Sequence, residues 1–426
     1  MKTTMKIKIS EVFNQIEESA TLAINQNIKH LRSEGKTIYH LGFGESPFPV
    51  PECVKKGLRS GESIKAYQPT QGIKELRESV SKFYSQWFKL NYSPEDIFIG
   101  PGSKELIFDL MHLIEGDLIL PVPSWVSYIP QAKISGKKVI KVDTSIKNSY
   151  CMTVEELDKS YRAALKFGLN PTLMLINTPG NPCGNSYPED LVKEIAEYAR
   201  NKGIYIISDE IYGNIIFEGY NHSSFARYYP EGTFVTGGIS KDRSLGGYRI
   251  GVCLVPEGQP EFKKAFNTLI SETFSCVSAP IQQAAIPAYS LEDEMIEFIN
   301  NCTKIHNIAL DYFHKELIKS EYIECAPPMG AFYLYPKYNI TKLNSATEIS
   351  KILLEEYNVA SLPSNCFGQE PDELNTRLAI TDYNGSKAYE YYTSNPGINN
   401  DEFINICCPN LVKSSKLIRE MVEKYA

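Results

Sequence analysis

The sequence predicts an α/β protein of two unequal lobes, and three observations lead to this prediction. Between residues 97 and 255, seven short runs rich in β-branched residues alternate with stretches of helical periodicity. Such alternation is typical of a mostly parallel sheet covered by helices on both faces. Beyond residue 296 a different mixture of strands and helices indicates a smaller α+β lobe. A chain of 426 residues is also too long for one ordinary core.

The first fifty residues contain no alternation of strands and helices. A strand-like run at 38–43 leads into the proline-rich stretch 47–51, and we expect this part of the chain to pack with the C-terminal lobe. The predicted division is an N-terminal arm that belongs partly to the small lobe (1–50), a large lobe (51–295) and a C-terminal small lobe (296–426).

The large lobe begins with an amphipathic helix, because apolar residues recur at helical spacing over 73–87 after the turn 69–72. A second clear helix covers 191–201. The seven strand-like runs lie at 97–99, 117–120, 138–142, 173–176, 204–207, 233–236 and 250–255.

The C-terminal lobe opens with a long helical region at 292–319. Its predicted strands lie near 330–335 and 376–380, and its predicted helices lie near 347–357 and 402–425. The segment 383–400 is rich in Tyr, Asn, Ser and Gly, which favours a surface loop.

Charge and composition exclude several classes of protein. A net charge of -7, with no dense run of Lys or Arg, leaves no basic surface for nucleic acid. The ten cysteines form no CxxC pair and show no zinc-ligand spacing with the six histidines, so we expect reduced core thiols and no metal. The basic start MKTTMKIKIS lacks the apolar stretch of a signal peptide, and no run is long enough to span a membrane. These features predict a cytoplasmic protein.

The segment 236–251 (TGGISKDRSLGGYRIG) is the most informative one. Lys241 follows a strand and Arg249 lies eight residues further on. Taken alone, such a lysine is more often a solvated surface residue, and paired glycines commonly form only turns. A buried lysine, however, becomes nucleophilic when burial lowers its pKa, and the planar fork of arginine suits a phosphate group.

Four further segments place polar or aromatic side chains at strand or helix ends. Asp209, in IISDEIY (206–212), ends an apolar strand, where open α/β sheets bind ligands, although it could also cap a helix. Tyr212 in the same segment could equally be core packing. The run NTPGNPCG (177–184) forms a turn, and PSWVSY (123–128) contains a tryptophan that could belong to the core. The glycine turn GPGSKELIF (100–108) enters a helix whose N-terminus could bind an anion.

Three outer segments complete the set. They are LGFGESPF (41–48), with Gly44, AYQPTQG (66–72), with Tyr67, and TRLAI (376–380), with Arg377. An arginine at the start of a strand is more often a surface charge. Together, and in this order along the chain, the segments resemble those of the class I/II pyridoxal-phosphate-dependent aminotransferases of fold type I. Cys183 stands where that family usually has threonine.

The resemblance implies a fold-type-I structure, in which a large domain holds a mostly parallel seven-stranded sheet between helices beside a smaller α+β domain. It also implies that pyridoxal 5'-phosphate is the cofactor and that Lys241 holds it through a Schiff base and later moves the substrate proton. Asp209 would keep the pyridine nitrogen protonated. The implied cofactor-binding residues are Tyr67, Gly102, Ser103, Lys104, Trp125, Asn181, Asp209, Tyr212, Ser240, Lys241 and Arg249.

For the substrate, the resemblance implies that Arg377 clamps the α-carboxylate and that Gly44, Trp125 and Asn181 surround the amino acid. Tyr67 matches a tyrosine that reaches the phosphate of a partner subunit, which implies a homodimer.

The implied activity is transfer of an amino group from an L-amino acid to a 2-oxo acid such as 2-oxoglutarate. Lys104 favours an acidic, aspartate-like donor, whereas the many Tyr and Phe residues are also consistent with an aromatic one. Two alternatives stay open: a pyridoxal-phosphate lyase of β-elimination or cyclopropane-forming type, and a non-catalytic sensor that binds the cofactor.

Overall fold

The structure is a computed structural model, and it describes residues 7–426. Its helices are α1 (Ala20–Ser33), α2 (Glu52–Gly61), α3 (Lys74–Phe83), α4 (Ser103–Leu113), α5 (Tyr128–Ile134), α6 (Val154–Lys166), α7 (Glu189–Lys202), α8 (Pro260–Glu272), α9 (Ala279–Ala288), α10 (Asp293–Leu317), α11 (Ala346–Glu355), α12 (Gly385–Ser394), α13 (Asn400–Cys407) and α14 (Pro409–Tyr425). Its strands are β1 (Tyr39–His40), β2 (Ile97–Gly100), β3 (Leu118–Val122), β4 (Val139–Asp143), β5 (Leu173–Asn177), β6 (Tyr205–Asp209), β7 (Thr233–Gly238), β8 (Gly251–Leu254), β9 (Ile323–Glu324), β10 (Tyr333–Leu334), β11 (Lys337–Tyr338), β12 (Val359–Ala360), β13 (Leu362–Pro363) and β14 (Thr376–Ala379).

The large lobe is built on a seven-stranded sheet in the order β2-β8-β7-β6-β5-β3-β4. Strand β8 runs antiparallel to both of its neighbours, and the other pairs are parallel. Every residue of β2, β3, β7 and β8 is buried, as expected for strands covered by helices on both faces. All seven predicted strands are confirmed.

The register of the sheet brings several polar side chains to one edge. Asn177, the last residue of β5, pairs with Asp209, the last residue of β6. Asp209 in turn pairs with Thr236 of β7, and Lys241 follows that strand by three residues. Because parallel strands end at the same edge, residues from three separate segments meet there.

The small lobe combines short strands with long helices. Strands β10, β14 and β13 form an antiparallel sheet, and α10 packs against α14. Strand β1 pairs with β12, which joins the N-terminal part of the chain to this lobe, as expected from the sequence. The predicted lobe boundaries themselves stay a prediction.

Two predictions for the C-terminal region are wrong. The segment 383–400, expected to be a surface loop, contains helix α12. The side chain of Asn384 accepts a hydrogen bond from the backbone N–H of Lys387, and Ala388 is buried, so the polar start of the segment is a helix cap. The single helix expected at 402–425 is two helices, α13 and α14, which part at Cys408 just before Pro409.

All ten cysteines are free, and six of them are buried, which agrees with the expectation of reduced core thiols. Across residues 7–426, no helix has both the length and the apolar character that a membrane crossing requires. The segment 1–10 was expected not to be a signal peptide, and its first six residues lie outside the described residues.

Candidate active site

A cavity of about 330 Å³ opens at the carboxyl edge of the large sheet. The N-terminal segment, the large lobe and the small lobe all contribute to its wall. The lining residues are Ser19, Thr21, Leu22, Phe43, Gly44, Glu45, Ser103, Lys104, Trp125, Tyr128, Asn177, Asn181, Asp209, Ile211, Tyr212, Ser240, Lys241, Gly246, Gly247, Arg249, Tyr333 and Arg377.

Lys241 lies at the centre of this wall, in the loop after β7. Its Nζ donates a 2.8 Å hydrogen bond to the backbone carbonyl of Gly44. Burial lowers the pKa of Lys241 to about 8, and the positive charge of Arg377 contributes to the same shift. A substantial fraction of the amine is therefore neutral, and nucleophilic, slightly above neutral pH.

Asp209 is a buried carboxylate at the end of β6. Its Oδ2 accepts a 2.6 Å hydrogen bond from the Tyr128 hydroxyl, and its Oδ1 accepts weaker ones from Thr236 Oγ1 and the Ile211 backbone, both at 3.4 Å. Burial raises the pKa of Asp209 to about 6, and these hydrogen bonds oppose the rise. Asp209 therefore carries a negative charge at neutral pH, where it can pair with a cationic group.

The N-terminus of α4 is suited to bind an anion. Gly102 precedes the helix with φ 96°, and a Cβ at this position would collide with the guanidinium of Arg249. Arg249 donates to the carbonyls of Gly246 (2.8 Å) and Pro101 (3.1 Å). Free N–H groups of a first helical turn and a guanidinium beside them suit a phosphate group.

A second anion-binding group is Arg377 of β14, only 1% exposed. Its guanidinium donates to the carbonyl of Gly42 at 2.7 Å and to Oδ1 of Asn181 at 3.2 Å. The Nε atom is buried and has no acceptor among the described residues. Because an unpaired buried donor is costly, this atom indicates that an acceptor from outside the chain belongs there.

Lys104 and Trp125 form the remaining polar and aromatic part of the wall. The Nζ of Lys104 lies 5.1 Å from the centre of the Trp125 ring, and that ring packs edge to face against Tyr128. Burial lowers the pKa of Lys104, and the charge of Arg249 acts in the same direction. Lys104 thus supplies a further cation to the cavity, separate from Arg377.

Two of the residues singled out from the sequence do not line the cavity. Gly102 lies against Arg249, which itself lines the cavity, and Tyr67 is 92% exposed on the surface of the single chain. The other eleven, from Gly44 to Arg377, all line it.

Sequence reasoning missed several lining residues, above all Tyr128 and Tyr333. Tyr128 lies in the PSWVSY segment, three residues after Trp125, and its position at the start of a helix near the edge of the sheet could have identified it. Tyr333 lies within a predicted strand, but no local pattern distinguishes it from a core tyrosine. The N-terminal residues Ser19 and Thr21 carry no signal at all in the sequence.

The set of groups fits pyridoxal phosphate. The cavity offers a lysine amine with a lowered pKa, a buried carboxylate, an aromatic ring and an anion-binding helix N-terminus with an arginine beside it. These are the groups that a lysine-bound, phosphorylated pyridinium cofactor needs.

Comparison with known proteins agrees with this reading. Residues 36–385 match the family model "Aminotransferase class I and II". Aspartate aminotransferase of Geobacillus stearothermophilus is 31% identical over 389 residues, which cover 88% of this chain and 95% of the relative. A probable aspartate/prephenate aminotransferase of Aquifex aeolicus is 30% identical, with 89% and 96% covered.

Solved structures show the same fold. Aspartate aminotransferase from Thermus thermophilus with maleate superposes with a TM-score of 0.84 at 24% identity, covering 97% of this chain and all of that one. Aromatic aminotransferase from Pyrococcus horikoshii gives 0.77 at 22% identity, covering 92% and 98%. The predicted fold type I is thereby confirmed. The chain therefore belongs to the class I and II aminotransferase family, and it is an aminotransferase that depends on pyridoxal phosphate.

Proposed function

We propose that this aminotransferase takes its amino group from aspartate or glutamate and passes it to a 2-oxo acid such as 2-oxoglutarate. The observation that carries the proposal is the position of Lys104, whose ammonium group lies in the cavity wall beside the Trp125 ring. A dicarboxylic substrate needs two cationic partners, and Arg377 and Lys104 supply them from different lobes. The relatives named as aspartate aminotransferases support this choice.

The residues around the cavity would divide the binding of the cofactor among them. Asp209 would pair with the ring nitrogen, and Trp125 would cover a ring face. Arg249, Ser240 and the backbone of Gly102, Ser103 and Lys104 would hold the phosphate. Asn181 and Tyr212 would contact the ring's phenolic oxygen. Bound pyridoxal phosphate supplies an electron-accepting ring that makes the Cα proton of the amino acid acidic.

Within the chain, Arg377 binds and orients the α-carboxylate of the amino acid. Its unpaired Nε is the donor that such a carboxylate would satisfy. Gly44 and Asn181 lie next to this site. The Gly44 carbonyl accepts a hydrogen bond from Lys241, and Asn181 accepts one from Arg377. When Lys241 is not bound to the cofactor, its Nζ would remove the proton from Cα of the amino acid. A pKa of about 8 suits this step, because the neutral amine is then present near neutral pH.

An aromatic amino donor is the second candidate for this site. The rings of Phe43, Trp125, Tyr128 and Tyr333 all line the cavity, and such rings can pack against an aromatic substrate. A lyase reaction and a non-catalytic sensor role are not favoured, because the relatives that cover most of the chain are named as aminotransferases.

We also infer that the enzyme is a cytoplasmic homodimer. Tyr67, with 92% of its surface exposed, and the exposed Arg249 lie open in a single chain, and a second copy would cover them. A partner's Tyr67 would then reach the phosphate group at the N-terminus of α4. The ten free cysteines support a reducing compartment.

The proposal can be tested by absorbance spectroscopy of the purified protein with pyridoxal phosphate. We expect a visible band from the lysine-bound cofactor, which Lys241→Ala cannot form. Aspartate and glutamate, each added alone, should convert this band to that of the amine form of the cofactor and release the matching 2-oxo acid. Conversion by phenylalanine or tyrosine only would replace the acidic donor by an aromatic one. A protein that stays colourless would overturn the proposal.

A further inference from the structure

Tyr333 stands at a meeting point of three groups of the site, and the sequence patterns do not single it out. Strand β10 pairs with β14 so that Tyr333 lies opposite Ala379. Arg377 is two residues away from Ala379 on the same strand, and side chains two apart point to the same face of a sheet. The register therefore places the Tyr333 ring diagonally beside the Arg377 guanidinium.

The ring of Tyr333 covers one side of that guanidinium. The central carbon of Arg377 lies 4.9 Å from the Tyr333 ring centre and 5.2 Å from that of Phe367. Arg377 has no acidic partner in the hydrogen bonds described for it, only a carbonyl and an amide oxygen. Two aromatic rings therefore help to stabilise this buried cation and restrict the positions that its guanidinium can take.

The hydroxyl of Tyr333 has a different neighbour. Its oxygen lies 2.8 Å from the hydroxyl oxygen of Tyr212, and both side chains are buried. A Cβ on Gly44 would collide with this same hydroxyl, and the Gly44 carbonyl accepts the hydrogen bond of Lys241. The Tyr333 hydroxyl is thus enclosed between Tyr212 and the loop that holds the lysine.

The direction of the hydrogen bond between the two tyrosines matters for Tyr212. A hydroxyl has one proton to donate. If Tyr333 donates to Tyr212, the Tyr212 proton is left for a group in the cavity, and donors in such a chain strengthen one another. Burial raises the pKa of both hydroxyls and Arg377 opposes this rise, but its guanidinium lies against the Tyr333 ring and acts more strongly there, so the Tyr333 hydroxyl is the better donor.

We propose that Tyr333 is a positioning residue with two separable tasks: its hydroxyl directs the Tyr212 proton towards the cofactor oxygen, and its ring holds Arg377 in the plane that binds a carboxylate. This inference rests on the proposed function, since it assigns Tyr212 and Arg377 the roles given there. It adds a residue to the site that acts through both of them.

Two substitutions separate the tasks. Tyr333→Phe removes the hydroxyl and keeps the ring. With a weaker Tyr212 donor, the anionic form of the cofactor oxygen is less stabilised, so the spectroscopic pKa of the lysine-bound cofactor band should rise by about half a unit to one unit. The dissociation constant of maleate, an unreactive dicarboxylate, should change less than about twofold. Tyr333→Leu should give the same spectral shift and also weaken maleate binding by about 3- to 30-fold.

Phe367→Leu is the matched control, because Phe367 contacts Arg377 but its ring has no hydroxyl. It should weaken maleate binding and leave the band pKa unchanged. If Tyr333→Phe titrates like the wild type, the task of the hydroxyl is refuted. If Phe367→Leu and Tyr333→Leu both bind maleate like the wild type, the task of the rings is refuted.

These two outcomes are distinguishable from failure of the proposed function, which would show in the wild-type protein itself, either as the absence of a visible band or as conversion of the band by aromatic donors only. Should Tyr333→Leu not fold, Tyr333→Phe and Phe367→Leu still test the two tasks separately. The band itself reports that each variant has a formed site.

Discussion

The Tyr128 hydroxyl and Oδ2 of Asp209 are 2.6 Å apart, so the tyrosine donates a short hydrogen bond to a carboxylate that is almost fully buried. Burial alone raises the pKa of Asp209, and this hydrogen bond is the largest of the effects that oppose the rise. Tyr128 therefore helps to keep Asp209 ionised at neutral pH. An ionised Asp209 is what a protonated ring nitrogen needs as a partner.

Replacement of Tyr128 by phenylalanine should weaken cofactor binding. Without the hydroxyl the pKa of Asp209 rises further, and a smaller fraction of the carboxylate is charged at pH 7. A hydrogen bond to a charged group contributes about 1.5–3 kcal/mol, so we expect the affinity for pyridoxal phosphate to fall by about 10-fold or more. The measurement is titration of the apo-protein with the cofactor at pH 7 and pH 9. Equal losses at both pH values would contradict the role of Asp209 ionisation.

Asp209→Asn should make the apo-protein more stable at high pH. The pKa of Asp209 is about 6 in the folded protein and 3.8 for an ordinary aspartate, so the folded state binds this proton more tightly than the unfolded state. Below both pKa values the carboxyl group is protonated in the folded and the unfolded state, so its burial as a charge costs no stability. As the pH rises through this window the folded state becomes less stable, by about 3 kcal/mol once the pH exceeds 6. Asparagine removes the penalty.

The check is thermal unfolding of the apo-proteins. The gain in melting temperature of Asp209→Asn over the wild type should be large at pH 8 and small at pH 4.5. With pyridoxal phosphate bound, the order should reverse at pH 8, because the variant lacks the charge that we propose to pair with the ring nitrogen. A gain that is the same at both pH values would show that the carboxylate carries no burial penalty.

Much of this site could be predicted from the sequence because its residues follow apolar strands. Asn181, Asp209 and Lys241 each lie within a few residues of a strand end, and parallel strands bring their ends to one edge of the sheet. The order of the strands therefore accounts for the place of these residues at one edge of the sheet. Their selection and their roles came from the resemblance to the aminotransferase family, because each segment taken alone had an ordinary structural explanation.

Other parts of the site depend on long-range geometry. Tyr333 reaches Arg377 through the register between β10 and β14, which no local pattern specifies. Helix α12 was missed for a related reason. Asn384 caps the helix and Gly385 begins it, and both residues locally favour a turn, whereas the contact of this helix with α10 decides its conformation. Tertiary packing overrides local preference in such segments.

Uptake of pyridoxal phosphate by the apo-protein should depend on pH through Lys241. Only the neutral amine reacts, and burial places the pKa of Lys241 at about 8, well below that of an ordinary lysine. The rate of uptake should therefore rise through pH 8 and level off above it. Stopped-flow absorbance between pH 7 and pH 10 measures the midpoint.

A pair of variants identifies the cause of that midpoint. Arg377→Met removes the positive charge that helps to lower the pKa of Lys241, and the midpoint should move to higher pH. Arg377→Lys keeps the charge and should leave the midpoint close to that of the wild type. A midpoint above pH 10 in the wild type would mean that Lys241 is hydrated like a surface lysine.

Lys104→Met should change the choice of substrate. Removing the second cation should raise the KM for aspartate and glutamate by about 10- to 100-fold, the effect of losing one charged hydrogen bond. The KM for an aromatic donor should stay within about threefold, because its ring needs no ammonium partner. Lys133→Met, at an exposed position of α5, is the control and should leave all KM values unchanged. An unaltered preference for acidic donors in Lys104→Met would remove Lys104 from substrate recognition.

Mixed dimers should show that Tyr67 completes the site of a partner subunit. Tyr67→Ala should weaken cofactor binding, and Lys241→Ala should abolish turnover. In a hybrid of the two variants, one site combines an intact Lys241 with an intact Tyr67 from the partner, and the other site carries both changes. Random reassociation of equal amounts should restore about a quarter of the wild-type activity at limiting pyridoxal phosphate. If Tyr67 served its own chain, both hybrid sites would be defective. The mixture would then be no more active than the average of the two variants measured separately.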